Sequence, residues 1–183
     1  MTLTLSPIPD DAWPQDITDL LPGFAGKLNV YRTMAHHPAL LRAWVNLRQH
    51  LVVHNTLGAQ HAEVVILRTG HNLNSAYEWA HHVSRGRACG MSDTRIASIS
   101  GALADMETDD AILAGGVDEL FHNARLTPHS QSALTHLIGT HGIFDVMALV
   151  GMYSTLGFIV NSFATPIDDT VADELDATPL QSS

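Results

Sequence analysis

Between Ile143 and Val160 the chain is apolar almost without a break: Ile143, Phe144, Val146, Met147, Leu149, Val150, Met152, Leu156, Phe158, Ile159 and Val160, with one charge, Asp145. A run this long exceeds the length of an ordinary strand, so residues 143–162 are expected to form a helix. The length also suits a membrane span. Against that reading stand Asp145, the cluster Gly151, Ser154, Thr155 and Gly157, and the lack of flanking Lys or Arg. The expectation is therefore a central helix buried by protein, partly within the subunit and partly against a second one, and no membrane association.

Such a helix needs other helices to cover it, and the rest of the chain supplies them. Leu40, Leu41, Trp44, Val45, Leu47, Leu51 and Val52 recur at helical spacing behind Pro38, which suits a first turn, and Gly58 ends that segment. A second helix runs from Ala59 to about Leu73, and a third from Ala76 to about Ala88, opened by Ser75 and stopped by Gly90. Ser92-Asp93-Thr94-Arg95 opens a short fourth, Asp109-Asp110 a fifth, and Thr127-Pro128 a sixth that ends at Gly142. No segment sustains a two-residue alternation, and no Asn-Gly or Asp-Gly hairpin signal occurs. The fold class is all-α, with six to eight helices in one domain over residues 36–164. Residues 1–35, with Pro7, Pro9, Pro14 and Pro22, read as an irregular arm with a helical turn near 15–21. Residues 165–183 read as an acidic tail that frays or lies on the surface.

Composition narrows the function classes. Nineteen Asp and Glu against nine Lys and Arg give a net charge of −10, and no basic cluster exists to contact phosphates, so nucleic acid is not an expected partner. A charged fraction of only 15 % beside 45 % hydrophobic residues suggests apolar surface reserved for a homo-oligomer, a trimer or a dimer or hexamer. The single cysteine, Cys89, allows no intramolecular disulfide and no Cys-x-x-Cys pair. The first residues show neither a basic nor an apolar leader pattern, so a cytoplasmic location is expected.

The twelve histidines concentrate attention on residues 63–82, which hold Glu63, Arg68, His71, Asn74, Ser75, Tyr77, Glu78, Trp79, His81 and His82. Glu78 and His82 are four apart and share a helix face; Tyr77 and His81 form a second such pair rotated by about 100°. A carboxylate beside an imidazole fixes its tautomer and forms an acid–base unit. Glu63 sits in an apolar stretch, where an acid is rare without a partner, and burial raises a carboxyl's pKa toward that of a neutral-pH proton donor. His82, Glu78 and Glu63 are the expected catalytic residues. Arg68 could receive a substrate carboxylate or pair with Glu63 or Glu78; Tyr77 and His71 complete the expected substrate-binding set. His81 is expected at the surface or a subunit contact. His136, His141 and Asp145 could face a neighbouring subunit. Glu63, Glu78 and His82 also suit zinc, iron or manganese by type, but adjacent histidines on a helix diverge, so neither a metal nor another cofactor is expected. Gly86 and Gly115-Gly116 make no phosphate loop.

From about Pro38 to Ile99 the chain resembles the carboxymuconolactone decarboxylase family, which includes the alkylhydroperoxidase D-type proteins. The resemblance is carried by Ala62-Glu63-Val-Val-Ile-Leu-Arg68, by Asn74-Ser75-Ala-Tyr77-Glu78-Trp79-Ala-His81-His82, and by Ala88-Cys89-Gly90-Met91-Ser92 with Ile96. It implies the helical alkylhydroperoxidase D-like fold and an oligomer. In the peroxidase branch a glutamate precedes Cys-x-x-Cys and a histidine follows it by four residues. Laid on this chain, the glutamate falls on Glu63, the histidine on His82, and the two thiols on Ser75 and Glu78. Both thiols are absent, and Cys89 lies seven residues past His82 without a resolving partner. The resemblance therefore implies the cysteine-free, decarboxylase-like branch: a lyase or isomerase on a small organic substrate, carboxylated or a lactone. Peroxide reduction by another route and a non-catalytic oligomeric binding protein remain as alternatives.

Overall fold

The computed structural model describes residues 3–180. Its α-helices are α1 (Asn29–Met34), α2 (Pro38–Arg48), α3 (Ala59–Asn72), α4 (Ala76–Ala88), α5 (Asp93–Ser98), α6 (Thr108–Asn123), α7 (Pro128–Phe163) and α8 (Asp169–Ala177), with short 3-10 turns between some of them and no strand among the described residues. A five-residue π-helical turn, Gln49–Val53, extends α2.

The centre of the molecule is α3, not α7. Every residue of α3 from Ala62 to Gly70 is buried, because α4, α6 and α7 surround it. Helix α7 buries Val146, Leu149, Val150, Met152, Leu156 and Val160 but leaves Phe144, Met147 and Phe158 exposed along one stripe. The break between the two apolar segments also moves from Gly142 to Gly139. Gly139 has φ +70°, a conformation that favours glycine, and merely interrupts what is otherwise one helix. Gly142 continues it; a Cβ there would come within 2.7 Å of the Ile138 side chain.

Ser75 caps α4 by accepting a hydrogen bond from the Glu78 amide at 3.4 Å. Just before it, Gly70 lets α3 approach closely: a Cβ there would sit 3.2 Å from the Glu78 Cβ. This contact sets the acid-bearing faces of the two helices against each other.

Within the tail, Asp169–Ala177 form α8, which lies on the surface of α4. Asp168, just before α8, accepts hydrogen bonds from the Asn29 amide, the Tyr77 hydroxyl and His81 Nε2, at 3.0, 2.6 and 2.8 Å. The N-terminal arm is equally ordered, with Trp13 and Ile17 buried and Arg32 tied to Ile8, Asp10 and Gly26.

Candidate active site

Glu63 from α3 and Glu78 and His82 from α4 converge in the core, all three buried. His82 Nδ1 lies 2.5 Å from Glu63 Oε2. Its other nitrogen, Nε2, faces Glu78 Oε2 at 3.7 Å, just outside hydrogen-bonding range. The edge of the imidazole packs against the ring of Tyr153 from α7, with centroids 4.9 Å apart and planes nearly perpendicular. If Nδ1 donates to the Glu63 carboxylate, Nε2 is left with a free lone pair directed at Glu78. The other carboxyl oxygen of Glu78, Oε1, is buried with no hydrogen-bond partner.

Burial decides the protonation states. It pushes the Glu78 carboxyl up to about 8, against the opposing pull of the Arg85 guanidinium, so at neutral pH Glu78 holds its proton. Burial also lowers the His82 pKa and outweighs the Glu63 carboxylate, which favours the charged ring. The site at pH 7 is thus a neutral acid facing a neutral imidazole whose far side is fixed by a glutamate. Buried polar groups are almost always satisfied, and Glu78 is an exception.

Glu78 and His82 line a cavity of about 20 Å³, closed by Leu28, Tyr31 and Arg48 and continued by Arg85 and Tyr153. That is room for one water molecule. A larger concavity, about 1040 Å³, lies elsewhere, between the end of α3, the start of α4 and α5; His71, Ser75 and Trp79 line it, and none of Glu63, Glu78 and His82 does.

The remaining expected residues take other places. Arg68 pairs with neither Glu63 nor Glu78: its guanidinium meets Asp118 of α6 through two bonds of 2.8 and 2.6 Å and donates to the carbonyls of Ile99 and Gly101, which commits four of its five N–H donors away from Glu63, Glu78 and His82. His71 belongs to the larger groove. The Tyr77 hydroxyl donates to Asp168 and accepts from the Val30 amide, although the residue also borders the small cavity. His81 is buried rather than at the surface, stacked on Tyr77 at 4.0 Å. Asp145 turns inward too, accepting from the Thr56 amide and hydroxyl and facing His50 Nε2. His50 and His54, four residues apart, bond separately, to Asp145 and Gln49. No group of three His, Cys, Asp or Glu among the described residues is arranged to hold a metal ion.

A glutamate on one central helix held by a histidine on the next is the arrangement the sequence resemblance implies, and the segment containing it matches a family profile. Residues 38–115 match the model of the carboxymuconolactone decarboxylase family. The fold as a whole is shared with solved structures. The chain is similar to a crystal structure of an alkylhydroperoxidase D core, an uncharacterized peroxidase-related protein from Ralstonia eutropha JMP134, with 16 % identity, TM-score 0.78, and 92 % of this chain and 95 % of that one covered. It is likewise similar to an uncharacterized peroxidase-related protein from Silicibacter sp. TM1040, with 12 % identity, TM-score 0.76 and 92 % and 93 % coverage. A third similar structure is the debrominase Bmp8, solved with 2,3,4-tribromopyrrole, with 13 % identity, TM-score 0.72 and 97 % and 98 % coverage. Comparison with curated protein sequences gives no match.

The two positions on which the sequence resemblance places the thiols of the peroxidase branch are here a helix cap, Ser75, and a buried acid, Glu78. Cys89 does not replace them. It ends α4, its Sγ donates to the Gly86 carbonyl, and burial together with Glu63 raises its pKa, which favours the unreactive thiol. The residues that local spacing does not point to are Tyr31, Arg48 and Tyr153, which reach the site from α1, α2 and α7. Arg85 was legible, since it follows His82 by three residues and Glu78 by seven on one face of α4.

Proposed function

We propose that the chain is a cofactor-independent acid–base enzyme, a lyase or isomerase of the decarboxylase-like branch, acting on a small organic substrate. The observation that carries this reading is the orphaned, protonated carboxyl of Glu78 beside a histidine whose opposite nitrogen is held by Glu63. In an isomerisation His82 Nε2 removes one proton from the substrate and Glu78 delivers one to another atom. The resulting imidazolium then returns a proton to the Glu78 carboxylate across the 3.7 Å gap, which restores both groups. In a decarboxylation the electron pair left on carbon takes the Glu78 proton as carbon dioxide departs, and Glu78 regains a proton from solvent water before the next turnover. Glu63 balances the transient charge on the ring.

A cavity of about 20 Å³ is too small for a lactone or a keto acid, so turnover on this reading needs the roof formed by Leu28 and Tyr31 to lift. The same closure favours the second reading, a non-catalytic binding or accessory protein. We also take the outward stripe of α7 as a contact in a homo-oligomer of the cytoplasm.

The test is a turnover screen of small carboxylated lactones, keto acids and alkyl hydroperoxides with the wild type, Glu78→Gln and His82→Asn. Loss of lactone or keto-acid turnover by about 100-fold or more in both variants supports the acid–base reading. Hydroperoxide reduction abolished by Cys89→Ser refutes it in favour of thiol chemistry. A fully folded protein inert toward the screen, which binds a small molecule equally well in wild type and both variants, supports the binding reading.

A further inference from the structure

Five of the eight arginines are tied to Asp or Glu: Arg32, Arg42, Arg68, Arg87 and Arg95. Arg48 and Arg85 form no ion pair among the described residues, and both line the small cavity that holds Glu78 and His82. Arg48 comes from the end of α2. Its guanidinium lies 4.0 Å over the Phe24 ring and 5.8 Å from that of Tyr31, and its Nε is buried without a hydrogen-bond partner. Arg85 comes from α4, and its charge acts on Glu78, His82, Tyr31 and Tyr153 alike. Two guanidinium groups that share one enclosed space repel each other unless an anion lies between them. The only carboxyl lining that space is Glu78.

We propose that Arg48 and Arg85 form an oxyanion subsite that takes the carboxylate of the substrate and sets the adjoining carbon at Glu78 and His82. The role that the sequence suggests for Arg68 thereby passes to two arginines that form no ion pair among the described residues. The guanidinium fork matches a planar carboxylate. The assignment rests on the acid–base reading for its second half, whereas the anion site stands on the unpaired arginines alone.

Binding and protonation are coupled. The titratable and charged groups that line the cavity with Glu78 are Tyr31 from α1, Arg48 from α2, Tyr77, His81, His82 (with its Glu63 partner on α3) and Arg85 from α4, and Tyr153 from α7; His81 is held between the Tyr77 carbonyl and Asp168. Burial raises the pKa of the three phenols and lowers that of His82, whereas the carboxyl of Glu78 changes charge near pH 8. A bound carboxylate offsets Arg85 and keeps the acid protonated; by reciprocity, an ionised Glu78 repels the carboxylate.

The experiment is a nuclear magnetic resonance titration of the full chain with ¹³C-formate and, as the uncharged comparison, ¹³C-formamide. We expect formate to bind at millimolar concentrations and formamide about tenfold or more weakly. Arg48→Met and Arg85→Met should each weaken formate by about tenfold or more, and Arg85→Lys, which keeps the charge without the fork, should weaken it less. Formate affinity should fall between pH 7 and 9 in the wild type and stay level in Glu78→Gln. Equal binding of formate and formamide, formate binding indifferent to both arginine substitutions, or no formate binding overturns the subsite; the first and last need no variant to fold. Arginine-dependent formate binding together with turnover untouched by Glu78→Gln and His82→Asn would uphold the subsite and remove the catalytic reading.

Discussion

Glu78→Gln should make the protein more stable as the solution becomes more alkaline, relative to the wild type. The unfolded chain loses the Glu78 proton near 4.5, whereas the folded chain keeps it until about 8. Between those values the folded state binds one more proton than the unfolded state, so the Glu78 contribution to stability is fully present below pH 4.5 and is lost as pH rises to 8. The slope is about 1.4 kcal/mol per pH unit, which amounts to about 5 kcal/mol over the whole window. Glutamine has nearly the same shape and no proton to lose. Urea denaturation of both proteins from pH 5 to 9, followed by the fluorescence of Trp44 and Trp79, gives the difference directly, and titrations common to the two chains cancel. The unfolding free energy of Glu78→Gln minus that of the wild type should climb through pH 5–8 and then level off. A difference that stays flat from pH 5 to 9 would place the carboxyl at its ordinary value and remove the proton donor from the proposed mechanism.

Arg68→Met should destabilise the fold by about 3 kcal/mol, because it leaves Asp118 and the carbonyls of Ile99 and Gly101 without their donor; thermal and urea unfolding measure this. Asp168→Asn should loosen the junction of arm, α4 and α8, costing about 1–3 kcal/mol, with faster hydrogen exchange at the Asn29 and Val30 amides. Phe158→Asp, on the exposed stripe of α7, should lower the mass in sedimentation equilibrium while leaving the helical content unchanged.

The helices were legible because each carries its own punctuation. Pro38 begins α2, Ser75 caps α4, and Thr127 accepts from the Ser130 amide at the start of α7. The pair Glu78 and His82 could be read from four-residue spacing, and Glu63 from being an acid among apolar neighbours. What spacing alone could not supply was which side of a helix faces which neighbour. His81 points inward because Asp168, 87 residues away, waits for it; Asp145 is occupied by His50 and Thr56 from the far side of the chain. The partner of Arg68 is out of reach of spacing for the same reason: a substrate carboxylate, Glu63 and Glu78 are all open to it in the sequence, whereas Asp118 is fifty residues downstream, on a helix whose rotation only packing determines. The prominence of α7 in the sequence likewise measures hydrophobicity, whereas centrality follows from having neighbours on every side, and α3 has them.

The two departures from the peroxidase pattern belong together physically. At position 75 serine keeps the one service a helix start requires, a hydrogen bond to the amide three residues on. At position 78 a carboxyl in these dry surroundings keeps its proton, and the same burial would hold back the ionisation of a thiol there. The enclosure that suits a neutral acid would be wasted on a site that must exchange electrons with an outside partner, and here it is nearly complete, with space for a single water. Two arginines that form no ion pair among the described residues line that space. A closed cavity, a held proton and unspent positive charge are mutually consistent if the missing component is an anion that enters with the arm raised and is protonated once the arm returns.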